Sequence, residues 1–530
     1  MFLRTTTSVL AVLAWAAPAM ADVTPAEVWQ NWVEYYKANG YTVTEGARDE
    51  AGETLTLRDV VIGYEVPEDE TRVEFRTPEI TLTGTGDGRV RTTLAETTPA
   101  TASFRNSDGE QVTLNGSLTA RDTEIVSGGT AADMTHDTRS GELTLALDTV
   151  QTGEETRQVP VTLKLLNATS RQQIVDADLM RFDATMAAER VEFAAAYADP
   201  EDAESPGRVN VTSSLTGLQG SSTGTIPKGA DASEDMAAAL RAGMDVSATI
   251  SAGPGSLDLD FAGKDEEGQE DTVRANSALQ GFEVTLALGP DGLKYQGALD
   301  STRTELTVSD LPAPISYAIE EGTFDVQFPV LKADEPAPFK FAYSVAGLTL
   351  ADSVWDLFDS ARTLPRDPAS IDIDLTGLVR VAMDLFDPAL MAADGPTPPG
   401  TDEMQADGSA ALPDPAEEEA PSPFEPVQVT INQFAIDALG ASIDASGELA
   451  VPEGGDPDQP VGAVNARLEG IDGLIDRLVQ LGVIAQEEVA GYRLMLALFA
   501  RPAPEGGDAM VADFEFREGG QIFANGQQVK

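Results

Sequence analysis

The chain carries one histidine, His136, and no cysteine. A single imidazole without thiols removes histidine-cluster and thiolate metal sites, and any Ser-His-Asp relay would have to use His136. The residues around it, Gly128 to Asp137, hold no nucleophile elbow, and their glycines and polar side chains predict a loop. The other residue types able to do chemistry are paired carboxylates. Asp258/Asp260 and Asp372/Asp374 each stand two apart in alternating segments, so each pair projects from one strand face. Such pairs could join loop carbonyls around calcium, or do acid/base work on a sugar. With 89 Asp and Glu in the chain, however, pairs at this spacing arise by number alone, and a half-buried strand keeps its polar face in water. The solvated reading is adopted for both pairs. No EF-hand spacing or Gly-Asp nonapeptide array occurs. No catalytic, metal or cofactor residue is therefore assigned, and the expected protein is not an enzyme.

The elements around these residues read as strands. After an opening helix the pattern turns to period two and stays there, as in Thr54 to Ile62, Glu142 to Leu147, Phe282 to Leu288 and Val427 to Ile431. Alternation of apolar and polar residues marks antiparallel strands with one buried and one wet face. A βα rhythm is missing, which disfavours a doubly wound nucleotide-binding fold. Gly84-Thr85-Gly86-Asp87-Gly88 has no GxGxxG register and no following helix, and reads with Pro290-Asp291-Gly292 as a hairpin loop. The expected fold is mainly β: an extended, curved antiparallel sheet built of hairpins, with a few helices and a C-terminal helix pair.

The helices are few. Thr24, Pro25 and Glu27 predict a capped start, Val28, Trp29, Trp32, Val33 and Tyr36 a single apolar face, and Asn39-Gly40 the stop. Ser233 to Met244 is Ala-rich with Ser233 as cap, and Ser353 to Ala361 forms a short apolar turn. Gly470 to Ile484 and Gln486 to Ala500 predict an antiparallel helix pair. Leu474, Leu478, Leu481, Leu494 and Leu498 of that pair, with Trp355 and Phe358, are the candidate lining of an apolar groove.

Charge and targeting bound the setting. Against 89 acids stand 34 Lys and Arg, a net charge of -55, which argues against nucleic acid and anionic membrane surfaces. Hydrophobic residues at 42% still suffice for a core. Met1 to Ala21 has the charged start, short apolar stretch and Ala19-Met20-Ala21 end of a signal peptide. Cleavage is expected after Ala21, leaving a periplasmic protein without a transmembrane segment. With that bacterial-looking leader, the glycosylation triplets at Asn115, Asn167 and Asn210 are read as chance. Residues 387–426 are Pro-rich and acidic and predict a flexible linker or loop between a β-rich domain (22–386) and a C-terminal module of strands and the helix pair (427–530).

Several stretches carry a resemblance. Asp22 to Trp29, Leu364-Pro365-Arg366-Asp367-Pro368, Gly473 to Leu478, Leu498-Phe499-Ala500-Arg501-Pro502 and Phe523 to Gln527 resemble an uncharacterised family of alphaproteobacterial exported proteins, a domain of unknown function. The long sheet with glycine-led strands is also similar to AsmA-like envelope proteins, which implies lipid handling, although the membrane anchor of that group is missing here. Neither likeness implies a catalytic residue. The function expected is the binding or carriage of lipid or another amphiphile in an apolar groove formed by one sheet face and the helix pair. The alternatives are an envelope scaffold that binds a protein partner and, third, a calcium-binding or carbohydrate-active protein.

Overall fold

A computed structural model describes residues 23–387 and 422–530, apart from 39, 67–70, 108, 199–206, 230–231, 233–234 and 265–268. The leader 1–21, the cap at Ser233 and most of the acidic segment 387–426 lie outside the described residues. Within them, 29 strands join in one sheet with antiparallel pairing throughout. The strands flanking the acidic segment, Ala369–Val381 and Phe424–Ala438, pair directly, so the sheet runs on from one side of it to the other. The helices are α1 (Pro25–Ala38), α2 (Met236–Arg241), α3 (Asp352–Trp355), α4 (Ile471–Gln480) and α5 (Val489–Phe499). The mainly β expectation holds. α2 is shorter than the run from Ser233, because Asp235 is its cap, accepting from the Ala238 amide at 2.8 Å.

Four successive strands, Asp133–Thr152, Glu155–Val175, Leu179–Ala198 and Arg208–Pro227, run 20 or 21 residues each. At roughly 3.3 Å per residue each spans about 65 Å. Beside them the same width is covered by shorter strands end to end: Asp245–Ala252 and Gly255–Lys264 both pair with Arg208–Pro227. The breaks line up across the sheet. Asp122, Asn167, Gly217 and Gly347 take φ of 50°, 51°, 63° and 68°, the first between two strands, the next two near the middle of long ones and the last toward the end of Ala337–Leu350. At the next break the Gly253 amide donates to the Thr216 carbonyl at 2.8 Å. Each such residue turns its strand and slips the period-two pattern by one, while the pairing register runs on unshifted past Asn167 and Gly217. Leu163 and Leu165 thus share a face with Ala168 and Ser170 across Asn167. These aligned breaks form a crease.

Residues opposite one another in a ladder share a face. One ladder passes through Ile250, Val284, Gly297, Phe324, Tyr343, Ile373 and Phe434. On the other side of the crease Leu145, Leu163 and Phe193 continue the same surface. The adjacent ladder, Thr249, Thr285, Gln296 and Asp325, points the opposite way and is polar. Gly297 is required small, because a Cβ there would meet the Phe324 ring at 2.4 Å. That ring packs on Tyr295 at 4.4 Å.

Burial is local. At the N-terminal end α1 lies on the apolar face, burying Val28 and Trp29 against Leu55, Leu57, Leu82, Val90 and Met134. Its start is the expected capping box: the Thr24 hydroxyl accepts from the Glu27 amide at 3.3 Å, and the Thr24 amide donates to the Glu27 carboxylate at 2.9 Å. A second buried group, Ala168, Ala188, Leu218 and Ala252, packs with Leu165, Val191 and Leu215 from across the crease. The sheet thus closes toward its apolar side at that line.

Candidate functional site: an open apolar face

Away from these buried groups the apolar face is left bare. Leu286 is 49% exposed, Tyr343 and Leu145 43%, and Ile250, Tyr295 and Phe341 42%. The strands contact mainly their hydrogen-bonded neighbours, while α1 packs on the first strands, α3 on Ile315–Ile319 and α4 on Ala441–Ala450. A hollow of about 440 Å³ on this face is lined by Met186, Ala248, Ile250, Val284 and Leu286, among others. These residues were not singled out in the sequence. Their signal was there, since each occupies an apolar position of an alternating strand, but alternation does not tell an open face from a covered one.

The N-terminal end is held shut by a polar core under α1, and here the loop reading of His136 is corrected. His136 lies in the strand Asp133–Thr152, 4% exposed. The Trp32 indole N–H donates to His136 Nδ1 at 3.1 Å, the Ser127 hydroxyl sits 2.8 Å from the same nitrogen, and Nε2 faces Asn31 Oδ1 at 3.0 Å. An indole nitrogen can only donate, so Nδ1 accepts and the proton resides on Nε2. Burial, opposed by the nearby Asp137 carboxylate, brings the His136 pKa down to about 4. The imidazole is therefore a neutral tie between helix and sheet. The run looked like a loop because Gly128-Gly129 and its threonines are turn formers, yet they pair in a ladder with Thr135 and Met134.

The C-terminal end is different. α4 and α5 pack as an antiparallel pair, tied where Arg493 meets Asp472 at 3.2 Å and Asp476 at 2.8 Å. Ile475 and Val489 are buried, and Phe499 stacks on Phe514 of the last long ladder at 6.2 Å. Of the candidate lining, Leu474, Leu478 and Leu481 are half-buried, whereas Leu494 is 71% and Leu498 53% exposed. Trp355 and Phe358 come together at 5.3 Å on a separate element, with Trp355 buried and Phe358 53% exposed. The Arg366 guanidinium lies 5.6 Å over Trp355 and donates to Asp356 at 3.1 Å. Asp359, buried beside it, accepts from the amides of Thr363 and Leu364 at 2.7 and 2.9 Å. Burial works against its charge, but these amides outweigh it and hold the carboxyl below its ordinary range. The Leu364-Pro365-Arg366-Asp367-Pro368 motif is thus a structural clamp.

The carboxylate pairs lie on the polar face. Asp260 accepts from Arg274 at 3.0 Å and Arg208 at 3.4 Å, and these arginines outweigh partial burial to lower its pKa. Asp374 accepts from Asn432 at 3.0 Å. Among the described residues no group of three or more His, Asp or Glu could hold a metal. A larger hollow of about 1190 Å³ on the polar face contains Arg91 and Arg171, each already paired, with Glu124 at 3.0 Å and Asp137 at 2.9 Å. Arg89 pairs with Asp87 as well, so three of the four arginines in its lining are held by carboxylates.

Within the described residues this is a β-rich protein built on one large antiparallel sheet, with much of the sheet's apolar face exposed. The chain belongs to the family of uncharacterised proteins conserved in bacteria (DUF2125), which matches residues 227–524, more than half of its length. Neither the curated proteins nor the solved structures gave a match. The matched span includes the Arg366 clamp and the helix pair, while the Asp22 to Trp29 stretch lies before it.

Proposed function

We propose that this chain is an exported, periplasmic, non-enzymatic protein that holds acyl chains of a lipid or another amphiphile along the open side of its sheet. One observation carries the reading: large apolar side chains on a single face stay about two-fifths exposed from Leu145 to Phe341, where a covered face would have buried them. Monomers in water rarely leave contiguous apolar surface beyond a few hundred Å² unless it is used. At roughly 25 cal/mol per Å², covering such a face with alkyl chains is strongly favourable, and an alkyl chain needs no directional partner. The uncharged ladders through Val284, Phe324 and Ile373 suit that cargo, while the acidic polar face keeps the carrier hydrated. The apolar hollow beside Ile250 and Leu286 gives one place where a chain could seat.

The likeness to AsmA-like envelope proteins supports the same reading, and the leader at Met1 to Ala21 supports export. Native mass spectrometry and lipid extraction of the protein purified from a bacterial periplasm test it. Bound amphiphile in near-stoichiometric amount is the expected result. Protein free of lipid, together with no uptake of a fluorescent fatty acid, would sink the proposal. A stable crosslinked protein adduct in cells, without lipid, would instead favour the scaffold alternative.

A further inference from the structure

We propose that α5, at the C-terminal end of the apolar face, inserts into the surface of a lipid bilayer with zwitterionic headgroups of no net charge. This rests on the amphiphile-carrier reading above. The helix has 11 residues, and Arg493 is its sole charge, already held by Asp472 and Asp476. Leu494, Met495 and Leu498 are 71%, 59% and 53% exposed, and Val483 in the connection to α4 is 70% exposed. Tyr492, 48% exposed, projects to another side of the same helix. α5 is apolar all round apart from Arg493; Val489 and Phe499 turn one side to the protein, and the side bearing Leu494, Met495 and Leu498 is left in water.

The opposite side is already covered, by α4 through Arg493 and by the sheet through Phe499, so the bare residues form one face of the helix. A second copy on that face would bring a net charge of -55 against -55. The same field repels anionic lipid, which selects headgroups of no net charge. At about 1.5 Å per residue the helix reaches roughly 16 Å, enough to lie in an interface and too short to cross a bilayer. Its end meets the carrier surface, because Phe499 packs on Phe514, which stands opposite Val464 in the apolar ladder. α1 closes the other end, so α5 marks the end from which acyl chains enter and leave.

The test is flotation of the full chain with phosphatidylcholine vesicles. The unaltered protein is expected to float with them, and Leu494→Glu/Leu498→Glu to lose partitioning by about tenfold or more. Both leucines are exposed, so the double variant should melt with the parent, and a Tyr492→Trp variant gives an independent readout through a blue shift on vesicle addition. No flotation of the parent, equal flotation of both proteins, or a dimer that the double variant dissolves would overturn the proposal. Extracted lipid without flotation removes the docking and leaves the carrier; flotation of a lipid-free protein does the reverse.

Discussion

The tie between α1 and the sheet makes stability depend on pH in a calculable way. Folded His136 takes its proton only near pH 4, whereas the unfolded side chain takes it near 6.5. The neutral imidazole therefore contributes its full stabilisation above 6.5, and that contribution is lost as pH falls from 6.5 toward 4. At about 1.4 kcal/mol per tenfold, the whole window amounts to roughly 3 kcal/mol, of which about 2 kcal/mol is gone by about pH 5. Protonation also places a hydrogen on Nδ1, against the Trp32 N–H and the Ser127 hydroxyl. Ser127, Asn31 and Trp32 are the side chains that bond the ring, and the charge of Asp137, on the opposite face of the strand, opposes the effect. The assay is urea unfolding followed by tryptophan fluorescence, to which Trp29 and Trp32 of α1 report, in the parent and in His136→Gln. Between about pH 7 and about pH 5 the parent should lose about 2 kcal/mol more than the variant. Surface carboxylates titrate alike in both proteins and cancel in the difference. Equal pH slopes for parent and variant would refute the buried neutral tie.

Three further outcomes are expected. Leu286→Asp places a charge on the open face at a side chain already 49% exposed, so it should cost less than about 1 kcal/mol yet lower extracted amphiphile, while Thr285→Asp on the polar face should leave lipid content unchanged. Trp29→Ala removes a ring 1% exposed under α1 and should destabilise by about 3–5 kcal/mol in the same urea assay. Asp372→Asn and Asp258→Asn should leave the melting temperature within about a degree of the parent, with millimolar calcium moving neither protein; a calcium-dependent rise lost in the variants would restore the metal reading.

Much of the local structure was legible. The capping box of Thr24 and Glu27, the aromatic face of Trp29 and Val28, the hairpin at Pro290-Asp291-Gly292 and the alternating strands follow from short-range periodicity and turn chemistry. The helix pair was placed within a few residues of α4 and α5, the margin usual for helix ends. His136 was misplaced because its neighbours are turn formers, and the partners that make it a strand residue lie far off in the chain. The crease was missed although its mark is present: at Asn167 the apolar positions step from 163 and 165 to 168, a slip of one that a search for unbroken alternation discards. The candidate lining on α4 and α5 drew notice as leucine stripes, whereas Ile250, Leu286, Tyr295 and Phe341 were spread over separate strands that only register brings into one surface.

What the residues settled unaided was composition and class: one imidazole, no thiol, a great excess of acid and a period of two, hence a mainly β protein with one greasy side. Those are local properties, written in composition and in spacings of a few residues. Whether that side is covered depends on contacts between distant segments, as when Asn31 reaches His136 across 105 residues to close one end. Only the folded chain decides that, because alternation sets which way a side chain points, while the elements that return over it, or fail to, set what it meets.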